Sequence, residues 1–140
     1  MLRNIESGEH SVLIRIWESA VSNTHHFLKE EDFLYYKTRL PLYFQQVTLY
    51  GFEQDCVLMG FMGFYETTLE MLFVDNQYRG KGIGKELVTY AIQRLGINKV
   101  DVNEQNIQAA GFYQHIGFNI TGKDDRYGEG KAYPILHMQL

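Results

Sequence analysis

Cysteine is almost missing from this chain of 140 residues: Cys56 stands alone, so no intrachain disulfide can form and no cysteine-based zinc site is expected. A reducing, cytoplasmic compartment is the simplest setting for one free thiol. Proline is nearly as scarce, with only Pro41 and Pro134. No Pro-, Gly- or Ser-rich stretch marks a linker, so residues 1–140 read as one domain. A surplus of positive charge is lacking too. The formal net charge is −4, which argues against a nonspecific nucleic-acid binder, because that needs a basic face. No apolar run nears the roughly 20 residues of a membrane-spanning helix. Residues 1–20 hold no apolar signal core, so neither a leader nor an anchor is expected.

Hydrophobic residues make up 45 % of the chain, enough for a core, and their spacing predicts the elements. Residues 2–6 read as a first strand. Val12, Leu13, Ile16, Trp17, Ala20 and Val21 recur at helical spacing. Residues 30–46 form a second helical stretch with Phe33, Leu34, Tyr36, Leu40 and Phe44 on one side, which Pro41 is expected to bend or divide. Strands over 47–52, 57–65 and 67–74 follow. A helix over 84–95 turns Leu87, Val88, Ala91, Ile92 and Leu95 inward and is closed by Gly96. Then come a strand over 99–103, a helix over 108–116 that Asn106 can cap, and strands over 118–121 and 133–138. The order β-α-α-β-β-β-α-β-α-β-β gives an α/β (α+β type) fold. Its central sheet is mixed and mostly antiparallel, with about six or seven strands flanked by about four helices.

The densest signal lies where the strand Leu69–Val74 runs into Asp75-Asn76-Gln77-Tyr78-Arg79-Gly80-Lys81-Gly82-Ile83-Gly84-Lys85 and an amphipathic helix. Alternate glycines let successive backbone N–H groups point into one concavity. The helix N-terminus adds its unpaired donors and about half a positive charge. Arg79, Lys81 and Lys85 add full charges. Such a place suits a pyrophosphate. A Walker loop fails, because Lys85 stands where its second glycine must be, and the same residue spoils a G-x-G-x-x-G dinucleotide fingerprint. Asp101 sits where that fingerprint would put a ribose-binding acid, so the mimicry is partial.

Arg79-Gly80-Lys81-Gly82-Ile83-Gly84 does match Arg/Gln-x-x-Gly-x-Gly/Ala, and here the chain resembles the GNAT acetyltransferases, which hold the acetyl-CoA pyrophosphate on that loop. Asn106-Ile107-Gln108-Ala109-Ala110-Gly111-Phe112-Tyr113 and the following Gly117-Phe118 look like the family's second signature. Thr24-His25-His26-Phe27-Leu28 resembles a bacterial branch with a Thr-His-x-Phe-Leu segment after the first helix. One departure is Asn76, where many members carry proline. The resemblance implies an N-acetyltransferase that moves an acetyl group from acetyl-CoA to a primary amine, on a small molecule or a peptide lysine, in a ternary complex. Leu72, Phe73 and Val74 would pair with the pantetheine arm, and a backbone N–H at Leu72 or Val74 would meet the oxyanion. Arg79, Gly80, Lys81, Gly82, Ile83, Gly84 and Lys85 would hold the pyrophosphate. Asn106 would touch the pantetheine arm, and Tyr113 would be the general acid that gives the departing thiolate its proton. A homodimer is compatible with family habit.

The general base stays open between three residues. Glu70 lies on the strand before the loop, on the same face as Leu72 and Val74 by period two. His25 and His26 follow the first helix, and an imidazole near neutral pKa suits the task. A metal on His25 and His26 is not expected, for want of further clustered ligands. Asp124-Asp125-Arg126-Tyr127 could face a cationic acceptor. A silent acyl-CoA sensor or interaction module is the alternative reading, which an intact Tyr113 disfavours, and an NAD-dependent enzyme is a third.

Overall fold

The computed structural model describes residues 1–125 and 133–140, so Arg126 and Tyr127 of the acidic loop lie outside the described residues. The elements are β1 (Leu2–Asn4), α1 (His10–Thr24), α2 (Glu30–Phe44), β2 (Thr48–Gln54), β3 (Val57–Tyr65), β4 (Thr68–Val74), α3 (Ile83–Leu95), β5 (Lys99–Asn103), α4 (Ile107–Ile116), β6 (Asn119–Asp124) and β7 (Ile135–Gln139). Two short 3-10 turns, Ser7–Glu9 and Asn76–Tyr78, are additional to the expected elements. One seven-stranded sheet runs in the order β1-β2-β3-β4-β5-β7-β6. Of its pairings only β4 with β5 is parallel.

Each face of the sheet has its own apolar layer. On one, α3 sets Ile83, Leu87, Val88 and Ala91 against Met62, Leu69, Val100 and Met138, with α4 contributing Tyr113. On the other, Leu13, Ile16, Trp17 and Val21 of α1 meet Leu40 and Phe44 of α2 over Phe61. Burying a side chain of this size contributes about 1.5–3 kcal/mol. Helix α3 ends where Gly96 adopts φ 70°, a left-handed conformation that favours glycine.

Helix α2 departs from its expected pattern in two ways. Pro41 does not divide it, because proline stands in the last turn and the helix runs on to Phe44. Leu34 faces outward at 52 % exposure, while Asp32 is buried. The inward face therefore includes Asp32 alongside Phe33, Tyr36, Leu40 and Phe44, with Phe33 stacked on Trp17 of α1 at 5.0 Å. The Tyr133 hydroxyl, 2.5 Å from Asp32 Oδ2, holds that buried carboxylate, and the Lys29 N–H donates to the same hydroxyl. These bonds tie the start of α2 to the segment entering β7.

The register of β4 carries a second departure. Gly63 faces Met71 and Phe64 faces Leu69, so Glu70 is an extra residue, a β-bulge. Leu69, Leu72 and Val74 all pack with the α3 layer, while Met71 and Phe73 pack with the α1–α2 layer. The alternation slips at Glu70. That residue lies on the face opposite Leu72 and Val74, not on the shared face that strict period two assigns.

Candidate active site

Parallel pairing of β4 and β5 stops after two residue pairs, Thr68 with Lys99 and Leu69 with Val100. Beyond that point β4 continues along β3 and β5 continues along β7. The strands part, and among the described residues no strand pairs with the outer edge of Glu70–Val74. The resulting cleft has a volume of about 730 Å³. Val21 and His25 at the end of α1, Leu40 and Tyr43 of α2, and Ala109 and Tyr113 of α4 form its walls. An open strand edge offers N–H and C=O groups to an extended guest, as a further strand would.

The glycine loop follows β4 in the chain, beyond Leu72 and Phe73, which line the cleft. Gly80 and Gly82 adopt φ 82° and 81°, which an L side chain rarely tolerates. A Cβ added at either would meet no protein atom within 4 Å, so backbone conformation and open space demand glycine here, not packing. The first intrahelical bond of α3 runs from the Glu86 N–H to the Gly82 carbonyl, leaving the N–H groups of Ile83, Gly84 and Lys85 as orphan donors. Ile83 is 4 % exposed, so its side chain belongs to the core and only its backbone can serve a ligand. Arg79 Nη2 donates to Gln108 Oε1 of α4 at 3.1 Å, and Lys81 Nζ lies 5.5 Å from the Tyr78 ring. Free N–H groups, a helix N-terminus and three exposed cations fit a pyrophosphate.

Asn76, the departure from the family proline, has a bond that proline could not make. Its N–H donates to Ser19 Oγ of α1 at 3.1 Å, and that hydroxyl donates to Asp75 Oδ1 at 3.0 Å. Asp75 Oδ1 also caps the following turn by accepting from the Gln77 N–H. Helix α1 thus pins the start of the phosphate loop. Ser19 drew no attention in the sequence, because its partners lie 56 and 57 residues away.

Tyr113 is 5 % exposed, its ring 5.2 Å from Phe112 and 5.8 Å from Phe118. Burial pushes its phenol up, so it stays protonated at neutral pH. Asn106 caps α4, its Oδ1 accepting from the Ala109 N–H at 3.2 Å. That leaves its Nδ2 pointing to His25 Nε2 at 3.4 Å. On the other side of the imidazole, Nδ1 lies 2.7 Å from Thr24 Oγ1, whose hydroxyl donates to the Ala20 carbonyl. The two caps dictate the tautomer: Nδ1 carries the proton and Nε2 a lone pair. Burial, and then the neighbouring His26, push His25 down to about 4, so the ring is neutral. His26 is exposed and takes no part in lining the cleft.

Glu70 stands at the mouth of the cleft. Partial desolvation of its carboxyl, and next the charge of Asp101, raise its proton affinity. Asp101 and His137 also line the cleft, with Asp101 Oδ1 2.7 Å from His137 Nδ1. Sequence reasoning missed both as site residues. Alternation held the signal, since Val100, Val102, Leu136 and Met138 are buried and put Asp101 and His137 on the opposite face. Among the described residues no group of three His, Cys, Asp or Glu could hold a metal ion. No described helix is long and apolar enough to cross a membrane.

Three comparisons with known proteins bear on this cleft. The family model of the acetyltransferase (GNAT) domain matches residues 18–140. Peptidyl-lysine N-acetyltransferase YjaB of Salmonella typhimurium is 37 % identical over 151 aligned positions, spanning 99 % of this chain and 98 % of that protein. The solution structure of apo YjaB from Escherichia coli superposes with a TM-score of 0.91 at 31 % identity, covering 99 % of this chain and 95 % of the other. The fold is shared more distantly by an acetyltransferase from Salmonella typhimurium solved with acetyl-CoA, with a TM-score of 0.65, 19 % identity, and coverage of 100 % of this chain and 92 % of that one. With a split sheet, a glycine cradle and these relatives in agreement, the chain belongs to the GNAT acetyltransferases and is an acetyl-CoA-dependent acyltransferase.

Proposed function

We propose that this enzyme acetylates the side-chain amine of lysine in a peptide or protein, with Glu70 as general base and Tyr113 as general acid. The observation that carries the reading is one cleft holding a neutral phenol on α4 and, on the bulge of β4, a carboxyl with raised proton affinity. The YjaB relative is named for the peptidyl-lysine acceptor.

The residues divide the work by position. Arg79, the backbone of residues 80–85 and the unpaired edge at Leu72, Phe73 and Val74 bind and orient the cosubstrate, which supplies an acetyl thioester. Anchoring far from the reacting atoms turns binding energy into orientation. A lysine amine near pKa 10.4 is almost wholly protonated at pH 7, and freeing it costs about 4–5 kcal/mol. Glu70 suits that proton, because desolvation makes its carboxylate a stronger base than a solvated glutamate. Tyr113 holds a proton for the leaving sulfur. His25 is a poor base at a pKa of about 4, and its lone pair already serves Asn106. We read it as a fixed acceptor that orients the α4 cap. A cytoplasmic setting suits the cosubstrate and the single exposed thiol.

The test is acetyl transfer from acetyl-CoA to an Nα-capped lysine peptide, followed by mass spectrometry. Tyr113→Phe is expected to lower kcat by about 10²-fold with acetyl-CoA affinity unchanged, and Glu70→Gln by a similar factor with loss of the acid limb of the pH profile. Wild-type rates in both variants would overturn the assignment.

A further inference from the structure

Three residues line both the reaction cleft and a groove beside it, and all three carry ionisable side chains: Glu70, Asp101 and His137. They form a row across the sheet. Glu70 is the bulge of β4, just past the last β4–β5 pair; Asp101 follows Val100 on β5; His137 is the register partner of Asp101 on β7. The imidazole is gripped at both nitrogens, with Nδ1 2.7 Å from Asp101 Oδ1 and Nε2 2.8 Å from Asp124 Oδ2 of β6. Carboxylates on both sides favour a proton on each nitrogen, the imidazolium form. Those two carboxylates raise its pKa accordingly.

We propose that Asp101 and His137 are positioning residues for acetyl transfer: the Asp101–His137–Asp124 clamp fixes the charges behind Glu70 and thereby sets how readily the cleft accepts the amine's proton. The inference rests on Glu70 being the base. Asp101 places a negative charge beside Glu70, which strengthens its hold on a proton, and His137 holds that charge still while partly neutralising it. The other titratable groups among the described residues around the cleft and groove are Lys99 of β5, Tyr65 of β3, His25 of α1, Tyr36 and Tyr43 of α2, Tyr113 of α4, and Tyr133. Of these His25 is neutral, so the Asp101–His137–Asp124 balance, with Lys99 at the groove, is the charge that Glu70 meets from β5, β7 and β6.

The clamp makes a prediction of opposite signs, which a merely structural role would not. Carbon-13 NMR of the full-length protein, labelled at glutamate and assigned with Glu70→Gln, follows the Glu70 carboxyl through pH 3–9. Asp101→Asn is expected to lower its midpoint by about half to one unit, and His137→Gln to raise it by a similar amount. The acid limb of kcat/KM, measured with acetyl-CoA and an Nα-capped lysine peptide, should move the same way in each variant. Asp101→Asn is nearly isosteric and carries the test alone if His137→Gln does not fold. Midpoints that stay put, or move together, while Glu70→Gln is inactive overturn the clamp and leave Glu70 as base. A Glu70→Gln enzyme with wild-type rate and acid limb overturns the base, and the inference with it.

Discussion

The two ends of the proposed site, the glycine loop and the cleft, are built from different materials. The proposed cosubstrate end is backbone: two glycines at φ near 80°, the orphan N–H groups of α3 and the edge of β4 beyond its pairing with β5. The proposed acceptor end is side chains from five elements, His25 of α1, Tyr43 of α2, Glu70 of β4, Asp101 of β5 and His137 of β7, all of which line the cleft. A backbone site needs particular residues in an unbroken run, because conformation is a local property. A side-chain site needs only that distant positions converge, and almost any polar residue can be delivered that way. The first kind is fixed for a common ligand, and the second is free to vary with the acceptor.

This contrast can be broken at its strongest point. Gly82→Val puts a β-branched side chain at φ 81°, on the N-cap of α3, where a Cβ meets no protein atom. Affinity for acetyl-CoA, measured by calorimetry, should fall by about 10²-fold or more, with a stability loss of only about 1–2 kcal/mol. Equal damage to folding and binding would show that the loop is a structural turn. Arg79→Glu should weaken the same binding by about tenfold or more without touching the fold, since the residue is exposed.

The acceptor end predicts a pH effect. His25 is held at about 4 in the folded protein against an ordinary value of 6.5. Below pH 6.5 the unfolded chain binds the proton first, so this contribution is complete above 6.5 and is lost as pH falls toward 4. Thermal melts should show stability declining over that window, and His25→Asn should flatten the slope. An unchanged slope would mean that His25 does not sit neutral between Thr24 and Asn106.

The smallest expected effect is where α1 meets the start of the glycine loop. Ser19→Ala removes both bonds that tie α1 to the phosphate loop and should cost about 1–2 kcal/mol. Asn76→Pro should cost about 1 kcal/mol in the wild type and almost nothing in the Ser19→Ala background. Asp75, at φ −54° and ψ 129°, already has the extended backbone that a following proline demands. Additive losses would separate the Asn76 N–H from Ser19.

The same contrast explains what the sequence revealed. Most elements lie within a few residues of their expected positions, since helical spacing and alternation are local, and β3 and β5 fall on theirs to the residue. The glycine cradle was legible for the same reason. Leu34 misled because a hydrophobic letter was read as inward, whereas α2 turns Asp32 inward to the Tyr133 hydroxyl, a partner 101 residues away. The face of Glu70 was misread because a bulge leaves no mark in composition. Asp101 was noticed for the wrong chemistry and His137 not at all, since their meaning lies in a β5–β7 register that no local pattern encodes.

The bulge has one more consequence. Without residue 70, the remaining Leu69, Met71, Leu72, Phe73 and Val74 would alternate perfectly between the two apolar layers. The strand therefore carries the carboxyl proposed as the base as a supernumerary letter, outside the grammar of its own packing. A lineage could exchange that letter without rewriting either core, so the chemistry of the cleft can drift while the architecture around it stands still.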